Sequence, residues 1–444
     1  MKKILALILV LFIFNLCVEA KSLKKSINSI IKESNISQNS IAISVKNIQT
    51  GKVVYELNEN ILMHPASVQK ILTIIPIIEV LGEDYNFKTQ LYSRGKDGYV
   101  IKLGGDPYLT SDELGTLLKR INSEKIKQVY IDDSIIERKD WGEGWQWDDD
   151  LNTSMPRFNS YNLDRNIAKL TIMPTDYNKQ AFIINPQKAP FAFFNNVITG
   201  DENKVSISRD STMAANTLTL EGVVKNPETH FIPNKNLKLY FTKKLTDLLE
   251  DRKIYLKSSY IISKASNKDI YVSEVSHPIS RAIDDVLLNS NNMVIETMGK
   301  LAGGKYYNKQ GTDSDAIKLY NEYYQKLGID NSRIRLTDSS GVSKNNLVDA
   351  DFITEYLVKS KDNEVLNRMA SPSQGTLSSR MIPLKNDIKA KTGTLSDISS
   401  IAGFLTAKSG EKYAFCIIIN DPTSTSSEKK VLEDYLIRNM HQKL

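Results

Sequence analysis

The segment HPASVQKILTIIPIIEVLG, residues 64–82, constrains the fold more than any other. From Ile71 onward it is apolar almost all the way round, the pattern of a helix built for a protein interior. Yet Lys70 stands at its head, with Ser67 three residues earlier. Residues three apart on a helix share a face, one turn apart, so these two side chains can meet. A serine hydroxyl is a weak nucleophile until a base sits beside it, and burial disfavours an ammonium ion, turning Lys70 toward such a base. Free N–H groups at the helix start can also help stabilise an oxyanion. The spacing alone decides nothing, because Ser-x-x-Lys also begins at Ser22, Ser29, Ser93, Ser409, Ser426 and Ser427. What separates Ser67 is its place at the junction of a turn and a buried helix.

The two ends of the chain share a texture that the middle lacks. IAISVKNIQTGKVVYELNEN reads as a hairpin around Thr50-Gly51, and DIKAKTGTL, SSIAGFLTAKS and KYAFCIIIN read as three successive strands. Helical patterns flank them: SLKKSINSIIKES before, SRAIDDVLLNSNNMVIETMGKLAG and SEKKVLEDYLIRNM after. Between about Asp84 and Asp269 lie short β-like runs, among them GYVIKLGGDPYL, KQVYIDDSIIE, AFIINPQ, TLTLEGVV and LKLYFTK, with helical stretches at DELGTLLKRI and KLTDLLEDR. The simplest architecture is α+β. Terminal strands pair in one antiparallel sheet flanked by helices, and the β-rich middle is an insertion. The expected domains are 21–88 with 273–444, and the insertion 89–272.

At the N-terminus, Lys2 and Lys3 precede an apolar run from Ile4 to Phe14, with Val18 and Ala20 at the small-residue positions of a cleavage site. Residues 1–20 therefore read as a secretory signal peptide. Its removal takes Cys17, leaving Cys416 as the one cysteine, so no internal disulfide can form and Cys416 reads as core filler. With 58 basic and 52 acidic residues scattered along 444 positions, no basic stripe with interleaved aromatics marks a nucleic-acid surface. His64, His230, His277 and His441 show no metal-ligand spacing, and neither metal nor cofactor is expected.

Two further motifs carry chemistry. In NSNNM, Ser290 and Asn292 stand two apart at a break between helical patterns, where a serine could relay a proton and an asparagine could hold a substrate amide. The pattern is frequent here, and a polar helix–helix turn is the plainer account. KTGTL, Lys391–Leu395, occurs once, at the end of a strand. Lys391 and Thr392 could bind a carboxylate, Gly393 lets a substrate backbone approach, and the Thr394 N–H can donate to an oxyanion.

Ser67-x-x-Lys70, Ser290-x-Asn292 and Lys391-Thr392-Gly393 together, in this order, are the signature of β-lactamases and penicillin-binding proteins. The chain resembles the class C low-molecular-mass penicillin-binding proteins, which are D-alanyl-D-alanine carboxypeptidases/endopeptidases. The resemblance extends to LGGDPYLT, VYIDDS, GWQWDDDLNTSMP, SYNLDRN, DSSGVSKNN and KTGTLSDISSIAGFL. Ser67 and Ser290 stand 223 residues apart, and a large domain between the two motifs is what this family implies. One departure is Asn291, where aspartate is frequent.

The resemblance implies a β-lactamase-like transpeptidase fold and a periplasmic or envelope enzyme. The implied substrate is the peptidoglycan stem peptide ending in D-Ala-D-Ala, with Ser67 as nucleophile, Lys70 as base and Ser290 as relay. Asn292, Lys391, Thr392, Gly393 and Thr394 would bind substrate, and β-lactams would acylate Ser67. Membrane contact would be peripheral at most, and the oligomeric state is left open. A β-lactamase and a non-catalytic cell-wall scaffold are the alternatives; the intact nucleophile, base and Lys391 speak against the scaffold.

Overall fold

The computed structural model describes residues 23–96, 98–209 and 216–444; the expected signal peptide lies outside them. The chain divides into two compact units. One comprises the described residues up to Val80 with 282–291 and 316–444, the other 81–281 with 292–315. The unit boundaries differ from 88/89 and 272/273, and residues 292–315 group with the middle of the chain rather than with its end.

In the first unit the two chain ends build one five-stranded sheet. Its order is Ile388–Leu395, Ile398–Thr406, Lys412–Asn420, Ile41–Asn47, Val53–Leu57. Every pairing is antiparallel, with Ile41 opposite Ile419 and Asn47 opposite Tyr413. The central strands are buried on both faces, which is why KYAFCIIIN reads as a continuous apolar run rather than an alternating one. On one face Ile43, Val45, Ile401, Phe415 and Ile417 pack against Leu23, Ile27 and Ile31 of the 23–33 helix and Leu432, Leu436 and Met440 of Ser426–Lys443. On the other, the helix Ala350–Lys359 lies against the sheet and Ser44 Oγ meets Thr354 Oγ1 at 2.7 Å. Cys416 is fully buried in this sheet, and burial pushes its thiol well above the ordinary range. Among the described residues no helix is long and apolar enough to cross a membrane.

Ile388–Leu395 forms an edge of the sheet. Outside the ladder its Ala390 N–H donates to Ala370 O at 2.9 Å. Backbone groups alternate along a strand, so those of Thr392 and Thr394 project from the same free edge.

The second unit holds a mixed five-stranded sheet ordered Ile261–Ile262, Gln128–Asp132, Gly98–Lys102, Asn86–Arg94, Ile270–Pro278, together with two three-stranded sheets sharing a small core of Leu170, Val197, Leu218 and Leu220. LKLYFTK corrects the sequence expectation. It is not a strand but the start of the helix Leu237–Asp251. Leu237, Leu239 and Phe241 fit period two, but Leu239 is 43% exposed while Leu237, Tyr240, Phe241, Leu245 and Leu249 are buried on one helical face. Asn236 caps the helix, its side chain accepting from the Leu239 N–H at 2.9 Å.

His277 ties this unit together. Its Nδ1 faces Asp106 at 2.7 Å and its Nε2 faces Glu113 at 3.1 Å. The Asp106 hydrogen bond holds the imidazolium above the ordinary value of 6.5, against the effect of burial. A group whose pKa is raised by folding stabilises the fold below its unfolded value and loses that contribution as pH rises through the folded one. Stability against urea is therefore expected to fall as pH rises above about 6.5, and a His277→Gln variant should lack that slope. Parallel curves for the two proteins would contradict this.

Candidate active site

The buried helix spans Lys70–Leu81 and is entered through a 3₁₀ turn, Ala66–Gln69, so Ser67 lies in the turn rather than in the α-helix proper. Ala66 has φ +47°, a left-handed conformation that costs a non-glycine residue on the order of 1 kcal/mol. It presents the half-buried Ser67 to Lys70, whose Nζ donates to Ser67 Oγ at 2.8 Å. The same Nζ donates to Ser340 O at 2.8 Å, and Lys70 is fully buried. Pro76 inside the helix has no N–H for the Leu72 carbonyl; Tyr324 OH donates to that oxygen instead, at 3.2 Å. The helix can thus stay buried without an orphaned acceptor there.

Ser340 is held by a loop organised around Asp338, which is 3% exposed. One carboxylate oxygen accepts from the Gly341 N–H and from Asn346 Nδ2, both at 2.8 Å, and the other from the Ser343 N–H at 2.7 Å. Gln69 Nε2 donates to the Asp338 carbonyl at 2.6 Å, and Thr73 Oγ1 to Ser339 O at 2.9 Å, locking the loop to the helix head. Gly341 has φ +85°, and a Cβ there would lie 1.9 Å from Ala66 O. The sequence reading missed this role because it belongs to a backbone carbonyl; the visible signal was the Asp-x-x-Gly turn within DSSG. An Asp338→Ala variant strands several buried donors at once and is expected to lose roughly 2–4 kcal/mol of stability in urea unfolding. A loss below about 1 kcal/mol would contradict the assignment.

Lys391 is also fully buried, and its Nζ donates to Ser290 Oγ and to Thr392 O, each at 2.8 Å. Burial, and after it the charge of Lys70, holds the Lys391 ammonium well below the ordinary lysine range. The two lysines therefore disfavour a doubly protonated site. Gly393 passes so close to the Ala66–Gln69 turn that a Cβ would stand 2.7 Å from the Ser67 nitrogen, 2.9 Å from Ala66 Cβ and 2.4 Å from Ser400 Oγ. Ser400 Oγ donates to Pro65 O at 2.7 Å, fixing the turn to the sheet. Thr392 is buried and Thr394 exposed.

The first unit thus brings together Ser67, Lys70, Ser290, Lys391 and Gly393. Asn292 opens the helix Asn292–Tyr306 of the second unit, where its amide donates to Ser154 O at 2.9 Å. A serine beside a buried amine, a second serine on a second buried amine, and a strand edge bearing N–H groups form a constellation suited to acyl transfer.

Comparisons with known proteins agree with that chemistry. Residues 23–439 match the D-Ala-D-Ala carboxypeptidase 3 (S13) family. The chain is 25% identical, over an alignment 445 positions long, to the D-alanyl-D-alanine carboxypeptidase DacB of Haemophilus influenzae, covering 91% of each chain. The crystal structure of penicillin-binding protein 4 from Haemophilus influenzae superposes with a TM-score of 0.82 at 22% identity, covering 94% of this chain and 98% of that one. The same protein in complex with a β-lactam superposes with a TM-score of 0.78, at the same identity and coverage.

Proposed function

The chain belongs to the D-Ala-D-Ala carboxypeptidase 3 (S13) family, and from that premise we propose that it is a serine-type D-Ala-D-Ala carboxypeptidase working through an acyl-enzyme on Ser67. The observation that carries the reading is the 2.8 Å bond between the buried Lys70 amine and Ser67 Oγ. In the proposed cycle Ser67 Oγ attacks the carbonyl carbon of the penultimate D-Ala of a peptidoglycan stem peptide, and its proton passes to Lys70 Nζ. The carbonyl π pair moves onto oxygen, where the N–H groups of Ser67 and Thr394 stabilise it. When that pair returns, the C–N bond breaks and the departing D-Ala nitrogen takes a proton relayed through Ser290 Oγ. Lys391 and Thr392 receive the terminal carboxylate, Gly393 leaves room for the substrate backbone, and Asn292 holds the peptide. Water then attacks the ester and releases the shortened peptide and free Ser67.

β-Lactams imitate the D-Ala-D-Ala end and acylate the same serine. The basic, apolar start of the chain supports export to the cell envelope. The test is product analysis on a pentapeptide ending in D-Ala-D-Ala beside its counterpart ending in L-Ala. Release of one D-Ala from the first alone is expected. No release, combined with rapid hydrolysis of penicillin, would make the protein a β-lactamase instead. A cross-linked peptide dimer in the same assay reports endopeptidase cleavage.

A further inference from the structure

Ser290 has φ +63°, a left-handed backbone that needs support from its surroundings in a residue other than glycine. The support comes from the end of the helix Ile279–Leu287. Asp285, 7% exposed, accepts from Asn289 Nδ2 at 3.1 Å on one carboxylate oxygen and from Asn291 Nδ2 at 3.0 Å on the other. Its backbone carbonyl accepts from the Asn291 N–H at 3.1 Å. Ser290 therefore lies between two residues tied to one carboxylate. The Thr376 N–H pins the same turn by donating to Leu288 O at 3.0 Å, and a Cβ on the adjoining Gly375 would sit 2.2 Å from that oxygen.

We infer that Asp285 is a positioning residue for Ser290, and that its carboxylate requires a donor rather than a second carboxylate at position 291. The inference rests on the proposed part of Ser290 in acyl transfer. An aspartate at 291 would bring a second carboxylate about 3 Å from the first, and two carboxylates that close cannot both ionise at neutral pH. Either the pair takes up a proton or the turn opens. An opened turn moves Ser290 Oγ away from Lys391 Nζ, with which it shares the 2.8 Å bond. Exchanging the two residues restores the arrangement with the charge moved across it: an asparagine at 285 can accept from Asn289 and donate to an aspartate at 291.

The experiment compares wild type with Asn291→Asp, Asp285→Asn and the double variant, following the acylation rate with a fluorescent penicillin and melting by circular dichroism. At pH 8, Asn291→Asp is expected to acylate roughly tenfold or more slowly than wild type, and the exchanged double variant to return within about threefold. The ratio of Asn291→Asp to wild type should rise as pH is lowered, because a proton shared between the two carboxyl groups removes their repulsion. A merely structural defect would not move that ratio. Asn291→Asp acylating like wild type at pH 8, or a double variant no faster than Asn291→Asp, overturns the inference. If wild type itself takes no label, the proposed function fails separately, and melting decides on the clamp. Recovery of the melting temperature in the double variant supports it, and additive losses overturn it.

Discussion

A Lys70→Met variant is expected to keep its fold and lose its chemistry. The side chain is fully buried, and its Nζ is spent on Ser67 Oγ and Ser340 O. Replacing a buried amine by an apolar group of similar volume offsets much of the lost bonding, because the cost of desolvating a polar group is no longer incurred. One donor to the Ser340 carbonyl is lost, at a cost of about 1 kcal/mol. These terms nearly cancel, so the melting temperature should stay within a few degrees of wild type or rise. Acylation should not survive so well. Without an acceptor for the Ser67 proton, its rate is expected to drop by roughly 10²–10⁴-fold. A variant that melts early would mean that Lys70 serves the fold. One that acylates normally would mean that another group takes the proton.

Gly393→Ala is the second large effect, and its cause is steric rather than conformational. An added methyl would meet the Ser67 nitrogen at 2.7 Å and Ser400 Oγ at 2.4 Å. The hydroxyl can rotate, although it then gives up its bond to Pro65 O. The backbone nitrogen cannot move without carrying Ser67 with it. A displacement approaching 1 Å at a reacting group costs on the order of a hundredfold in rate, and overpacking costs about 1–3 kcal/mol in stability. Adding Ser400→Ala relieves only the hydroxyl contact, so the pair should remain nearly as slow as Gly393→Ala alone. Full recovery in the pair would locate the problem at Ser400 and not at the turn that carries Ser67.

How far such features can be read without coordinates depends on how local they are. Ser67 and Lys70 were legible because one helical turn separates them, and the apolar run behind Lys70 announced its burial. The pairing of the terminal strands was legible too: KYAFCIIIN is apolar enough to demand cover on both faces, and both chain ends carry strand patterns. LKLYFTK misled because Leu237, Leu239 and Phe241 satisfy period two as well as a helix start, and only the exposure of Leu239 separates the two. The break at NSNNM was legible, and the structure places the left-handed Ser290 there. The second excursion of the chain, 292–315, was hidden because a helical pattern does not say which unit the helix joins. For the Ser340 carbonyl, DSSG marks a turn, but a turn motif does not say where its main-chain oxygens point. Lys391 could be singled out by its motif. Its bond to Ser290, 101 residues away, and the suppression of its charge by burial and by Lys70 are products of the tertiary fold.

The central claim is that Ser67 forms a covalent acyl-enzyme, and labelling with a fluorescent penicillin followed by mass spectrometry of the digested protein tests it most directly. The measurement is made beside a Ser67→Ala variant shown by circular dichroism to be folded. One label per chain on the peptide carrying Ser67, and none on the variant, is the result expected from the 2.8 Å bond to Lys70. Label that persists on the variant, or a wild-type chain that neither binds nor hydrolyses the penicillin, would contradict it.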